Sequence, residues 1–392
     1  MRILYFTVDF QHPLVPGSHR HYHFIKELSK RHDIVWLTFA SKPVPAEAID
    51  EMRQYTTEMR VFSWCPDGKL PTSKLARRKL RTQAVTALDL AFREVLEAGE
   101  QDVVFFHGQR DHSLLNSCEI PVVIDMCDAN SMRILTQARY ESIYRLPVNM
   151  LNYLWTLSTE RKILQKSRHI ALISPRDRAA VAASNSDIHV VPNGVDLDYW
   201  CPTEKVSHRN TIVLTGEMSY RPNTDAAMVL VRKVMPILRQ ELDDPQLLLV
   251  GRAPPAALKD EVRGQEDITL TGFVDDVRPW IQQASLFAAP IRFASGMQNK
   301  ILEAMAMKLP VVTTPVVEEG LRSDAIEGNP AIVAGIDSER AFADAIIRLL
   351  RDPVECASLG EAGRAYVKQN FSWASSSRMF ERMCLDAIAG VN

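Results

Sequence analysis

The chain has 392 residues, enough for two domains with separate cores. Hydrophobic residues make up 46% and charged residues 24%, a globular balance that excludes a disordered or fibrous chain. The net charge of −2 gives no overall pull toward nucleic acid, and no apolar run approaches the roughly 18 residues that span a bilayer.

Six cysteines (Cys65, Cys118, Cys127, Cys201, Cys356 and Cys384) are scattered without a C-x-x-C pair, as expected of reduced thiols in a cytoplasm. Met1–Val8 reads directly as an apolar strand, with no signal-peptide pattern. A Pro-rich loop follows and ends in Pro16-Gly17-Ser18. Then comes a helix to about Lys30, with Phe24, Ile25 and Leu28 on one face, and a strand over Ile34–Phe39. Strand, loop, helix, strand predicts the start of a doubly wound sheet. Locally, Gly17 reads as a turn residue. His12, His19, His21 and His23 invite a zinc reading. His19, His21 and His23 alternate onto different helix faces, with no Cys or acidic ligand beside them. They are therefore read as solvated or cleft-lining, and no metal site is expected.

Residues 74–81 lie in a basic stretch, TSKLARRKLRTQA from Thr72 to Ala84, with Lys74, Arg77, Arg78, Lys79 and Arg81. It could dock on an anionic membrane leaflet or be a solvated helix face. Asp102–Phe106 is a buried-type strand ending at His107-Gly108, and ligands of open α/β sheets bind beyond such strand ends. Pro121–Ile124 repeats the pattern and leads into the polar loop of Asp125, Asp128, Asn130 and Ser131. There Asp128 is the residue of first interest, and a two-carboxylate metal site is an alternative. Ser131–Ser167 predicts a long helical region interrupted at Pro147. Its Tyr140, Tyr144, Leu146, Val148, Leu151, Leu154 and Trp155 are expected to be mostly core, with part as an acceptor- or membrane-facing edge. His169–Ile173, a helix from Pro175, and Ile188–Val191 follow.

VPNGVDLDYWCP (Val191–Pro202) is dense in turn residues and places a linker at about Asn193–Asn210. Asn210–Leu214 opens a second sheet, followed by Thr215-Gly216-Glu217-Met218 and Arg221-Pro222-Asn223. Pro222 suits the first turn of a helix. Leu247–Val250 ends in Gly251-Arg252, again at a ligand end. Ile268–Leu270 leads into Thr271-Gly272-Phe273-Val274.

The stretch Ser285–Thr314, SLFAAPIRFASGMQNKILEAMAMKLPVVTT, reads as one parallel β-α-β unit. Its loop, with Gly296, feeds a helix N-terminus where unpaired N–H groups favour an anion. Lys300 adds a full charge in the first turn. Glu303, one turn deeper, could accept hydrogen bonds from ribose hydroxyls. Locally this is either a nucleotide site or an ordinary unit with a surface Glu and Lys. Beyond it lie Glu318-Glu319-Gly320-Leu321, a strand over Ala331–Ala334, two helices, and a last amphipathic helix from Phe371-Ser372-Trp373.

The order of these phrases resembles the retaining glycosyltransferases of family four, which have the GT-B architecture. G-x-Q-N-K before L-E-A-M-A is similar to a bacterial subgroup associated with exopolysaccharide export. The resemblance is densest from Val191 to Thr314. It implies two Rossmann-like domains: residues 1–192 for the acceptor, residues 193–372 for a nucleotide-sugar donor, and residues 373–392 crossing back to the first. Gly17 would lie near the donor phosphate. Gly216 and Met218 would turn backbone N–H groups toward the cleft. Arg221, with Lys300 or Arg252, would neutralise the diphosphate. Backbone at Phe273 and Val274 would meet the base, and Gly296, Met297 and Gln298 would line the phosphate loop. Glu303 matches the second of two family glutamates, and Ser295 stands where the first would be. His107 and Asp128 would serve the transferring sugar and the acceptor. The implied reaction moves sugar from a UDP or GDP donor to a glycan or polyprenyl-linked acceptor, with no bound cofactor and no metal. A double-Rossmann epimerase and a non-catalytic nucleotide-sugar-binding subunit are the rival readings.

Overall fold

Short apolar strands alternating with helices produce two separate parallel sheets, one in each half of the chain. The computed structural model describes residues 1–15, 17, 19–64, 73–141, 143–181, 187–203, 209–322, 332–333 and 338–390. The first sheet holds β1 (Arg2–Thr7), β2 (Asp33–Ala40), β3 (Glu58–Ser63), β4 (Val103–His107), β5 (Val122–Cys127), β6 (His169–Leu172) and β7 (Asp187–Val190). Their order is β3-β2-β1-β4-β5-β6-β7, with every pairing parallel. The second holds β8 (Thr211–Thr215), β9 (Gln246–Val250), β10 (Ile268–Gly272), β11 (Leu286–Ala289), β12 (Val311–Thr313) and β13 (Ile332–Val333), in the order β10-β9-β8-β11-β12-β13.

This order decides where a ligand can sit. In the first sheet the chain winds out to β3, then returns to lay β4 beside β1. In the second it winds out to β10 and returns to lay β11 beside β8. Each reversal opens a crevice beyond the strands' carboxyl ends. In the first lobe that crevice lies between Val8 and His107-Gly108, and a Cβ on Gly108 would come within 2.6 Å of Val8.

Central strands are buried on both faces and therefore run apolar: all of β4 and nearly all of β1 and β2 are shielded. The edge strand β3, EMRVFS, is only half-buried and carries charges, as edge strands do. In the second lobe the helical run from Arg221 loosens to a π-turn at Leu230–Val234, just before Pro236. Proline cannot donate the next helical hydrogen bond, which accounts for the bulge.

The region expected as one helix broken at Pro147 divides earlier. Helix Asn130–Ala138 ends, a single 3-10 turn spans Ile143–Arg145, and helix Leu146–Leu164 takes Pro147 into its own first turn. That is where proline is tolerated, because the first-turn N–H has no helical partner. The expected core role of this segment is also corrected. Tyr144 is 90% exposed, and Leu151 and Trp155 are each 68% exposed.

The last helix, Trp373–Ala389, leaves the second lobe and packs on the first. Its Phe380 ring meets Phe24 at 4.7 Å and Phe105 at 4.8 Å, both edge-to-face. Glu381 receives Arg31 and His32. Gly194 sits where the linker passes this helix, and a Cβ there would overlap the backbone of Trp373. Among the described residues no helix is long and apolar enough to cross a membrane.

Candidate active site

The two crevices face each other across a cavity of about 600 Å³. From the first lobe Gly17, Arg20, His107, Cys127 and Asp128 line it; from the second, Gly216, Met297, Gln298, Lys300 and Glu303. Eight of the expected site residues thus come together. Ser295 lines it too.

In the second lobe, helix Asn299–Ala306 begins at Gln298 with no side-chain cap. Lys300 reaches Asn223 Oδ1 and lies 3.3 Å from Gln298 Oε1. Burial lowers the lysine to about 8, against the pull of Glu303. Burial also raises Glu303 to about 7, and Lys300 opposes that rise. An ammonium short of solvent, beside neutral amide oxygens, is a site waiting for an anion.

Gly216 and Gly251 stack the loops after β8 and β9 closely, since a Cβ on Gly251 would overlap Gly216 O. This closeness corrects one expectation. The N–H of Gly216 bonds Val250 O at 3.0 Å and that of Met218 bonds Arg252 O at 2.9 Å, so neither amide points into the cleft. The Met218 side chain is core. Arg221 is also placed elsewhere: its helix turns it to the rim, where it pairs with Glu141 of the first lobe. Arg252 pairs with Glu217. Phe273 is 72% exposed, and Val274 packs on the second core.

In the first lobe, His107 ends β4 opposite Asp125 of β5. Asp125 is fully buried and takes Arg20 Nε at 2.7 Å and the Cys127 N–H at 3.0 Å. Arg20 spends its other nitrogens on Asn193 Oδ1 and Val191 O, each at 2.7 Å, and Asn193 hands on to Asn299 Oδ1 at 2.7 Å. One guanidinium therefore links the first crevice, the linker and helix Asn299–Ala306. Replacing Arg20 with alanine strands the Asp125 charge, and should cost about 3–5 kcal/mol in denaturant unfolding.

Burial lowers His107 to about 4, so it is a neutral imidazole at pH 7. The His21 ring lies 3.9 Å from it, and burial holds that histidine well below its usual range too. The two histidines and Cys127 bring possible ligand atoms within 4.8 Å of one another. Reading the histidines only against their sequence neighbours missed this, because the partners come from different strands. Burial, with help from Asp177, raises Asp128 to about 7.

Two further residues were not singled out from sequence. Asp177, fully buried, accepts from Ala129 N at 3.0 Å and, across the cleft, from Gly296 N at 3.3 Å. Arg176 donates to Val316 O at 2.5 Å and to Ala294 O. The phrase Ser174-Pro175-Arg176-Asp177 signals a capped helix start, since Ser174 Oγ accepts from Asp177 N at 3.2 Å. Nothing local signals that the same residues clasp the loop before helix Asn299–Ala306. Gly296 has φ +62, and a Cβ there would overlap Asp128 Oδ1.

Two facing Rossmann-like lobes with a cleft between their switch points define the GT-B build. The solved sucrose-phosphate synthase of Thermosynechococcus elongatus aligns over 99% of both chains, with a TM-score of 0.73 and 16% identity. Residues 209–352 match the family described as glycosyl transferases group 1. The phosphatidyl-myo-inositol mannosyltransferase of Mycobacterium leprae is 25% identical over 305 residues, 75% of this chain and 76% of that one. A GDP-mannose-dependent alpha-(1-6)-phosphatidylinositol monomannoside mannosyltransferase of Mycobacterium tuberculosis is 24% identical, over 55% of this chain and 61% of its own length.

Proposed function

We propose that this chain is a retaining glycosyltransferase that moves a sugar from a UDP- or GDP-type donor to a glycan or lipid-linked acceptor in cell-surface polysaccharide assembly. One observation carries the reading: a single short helix brings Lys300 and Glu303 into the same cavity as His107 and Asp128 of the opposite lobe. The match over residues 209–352 supports the donor half.

In this reading residues 1–192 hold the acceptor, residues 193–372 hold the donor, and residues 373–392 tie the two. Glu303 accepts the ribose hydroxyls. Lys300 and the uncapped helix start take the diphosphate, whose charge grows as the bond from the sugar C1 to the phosphate oxygen breaks. Met297 and Gln298 shape the floor of that loop. The acceptor oxygen bonds C1 on the same face, and its proton passes to the departing phosphate. Neutral His107 holds a sugar hydroxyl, and Asp128 orients the acceptor. The chemistry is positioning and electrostatics, with no covalent intermediate on the protein.

Incubation with a panel of UDP- and GDP-sugars, with and without acceptor, tests the activity by nucleotide release. Glu303→Ala should weaken nucleotide binding in calorimetry by about tenfold or more, the loss of a charged hydrogen-bonding partner. An unchanged Kd removes the ribose role. Release of free nucleotide together with an epimerised sugar in the absence of acceptor points to an epimerase instead.

A further inference from the structure

A second cavity, of about 720 Å³, opens from the first crevice and is lined by first-lobe residues alone, from Val8 to Thr159. His107, Cys127 and Asp128 line both cavities, so the two are continuous at the reacting end. Five arginines line the second: Arg77, Arg78 and Arg81 from helix Lys74–Glu97, Arg110 after β4, and Arg133 from helix Asn130–Ala138. The basic stretch that sequence left open between a membrane patch and a solvated face therefore contributes three guanidinium groups to a cavity wall.

That wall concentrates positive charge. Arg77 and Arg81 lie one turn apart on the same helix face, where like charges repel. They sit near the helix N-terminus, whose dipole disfavours cations, and no acidic residue occupies that first turn. Among the described residues Arg78, Arg81 and Arg110 make no salt bridge with a carboxylate. Of the acids in the lining, Asp9 is engaged by Ser41 at 2.5 and 3.0 Å, and Asp111 and Asp128 leave the five arginines in excess. Trp64 and Trp155 supply flat apolar surface in the same cavity. Trp155 also belongs to the exposed apolar face of helix Leu146–Leu164, with Leu151 68% and Leu154 52% exposed.

We propose that this cavity binds the acceptor, and that the acceptor is an amphiphile whose phosphate or diphosphate is gripped by the arginines. Its lipid chain runs out over Trp155, Leu151 and Leu154, and its sugar end reaches His107 and Asp128. This rests on the transferase reading for the word acceptor, but the anion site itself does not. Charge complementarity chooses the phosphate, and the continuous apolar face at the cavity mouth chooses a lipid over a water-soluble sugar phosphate.

The test is binding, not turnover. Farnesyl diphosphate, inorganic pyrophosphate and farnesol are titrated by calorimetry into the wild type and into the triple variant Arg78→Ala, Arg81→Ala, Arg110→Ala. All three side chains are exposed, so the fold is retained, which circular dichroism checks. Farnesyl diphosphate should bind at least about tenfold tighter than pyrophosphate, and the variant should lose about tenfold or more of that affinity. UDP and GDP affinity should not change. Equal binding of farnesyl diphosphate by both proteins overturns the proposal, as does equal binding of farnesol. Pyrophosphate binding as tightly as the lipid overturns the amphiphile. Equal loss of binding to phosphatidylglycerol vesicles free of diphosphate makes the arginines a membrane patch and overturns the site. Failure of UDP and GDP to bind the wild type strikes the transferase reading alone.

Discussion

Replacing Lys300 with alanine should lower donor turnover by about 10²–10³-fold while leaving the fold intact. The ammonium contacts Asn223 and Gln298, which solvate it but do not neutralise it. A diphosphate would supply the missing charge, and supply most in the transition state, when the leaving group becomes more anionic. The stability effect runs the other way. The lysine falls from 10.5 in the open chain to about 8 here, so between those values the unfolded chain binds more protons. The penalty is fully present below about pH 8 and fades as pH rises toward 10.5. Alanine removes it, so thermal unfolding at pH 7 should be unchanged or slightly higher. Initial rates and melting curves on the same preparation check both halves. Glu303, raised to about 7, sets the acid side of the same dependence, because a protonated carboxyl is a poorer acceptor for ribose. Nucleotide affinity in the wild type should weaken below about pH 7 and again above about pH 8. In Lys300→Ala the alkaline fall should vanish.

Gly296→Ala should cost at least about tenfold in turnover by spoiling the fit between the lobes. The residue is in the left-handed region, where a side chain costs about 1–2 kcal/mol. Its added methyl would also meet the Asp128 carboxylate across the cleft and Ile173 at 3.1 Å. Asp128, Asp177 and the Gly296 loop cannot all hold their places, and under the proposed function small displacements at a reacting centre are expensive. Gly264→Ala is the control. It carries the same backbone strain, φ +77, with open space around it, and should leave activity unchanged. Comparable loss in both variants would assign the effect to strain and not to the cleft.

The legible parts of the molecule were those whose physics is local. Strands buried on both faces announce themselves as apolar runs, so β1, β4 and β11 could be read directly. The helix carrying Lys300 and Glu303 was legible because one face of 3.6-residue periodicity is buried and the polar residues fall outside it. Edge strand β3 escaped because an edge needs no apolar alternation. Pro147 misled because a proline marks a helix start as readily as a break. The amides of Gly216 and Met218 were misread for another reason: the loop after β9 claims them, and sequence does not say which loops touch. The cross-cleft clasp joins residues 119 positions apart, and the Arg20–Asn193 link spans 173. No window of sequence contains both ends of either.

The helix that ends the described chain has a bearing on biosynthesis. Phe24 and Phe105 are covered by Phe380, so one of the first lobe's two apolar clusters stays open until this helix has been made. The second lobe has its own cluster and can settle earlier, reversing the usual amino-to-carboxyl sequence of events on the ribosome. A premature stop before residue 373 would therefore injure the half of the protein made first.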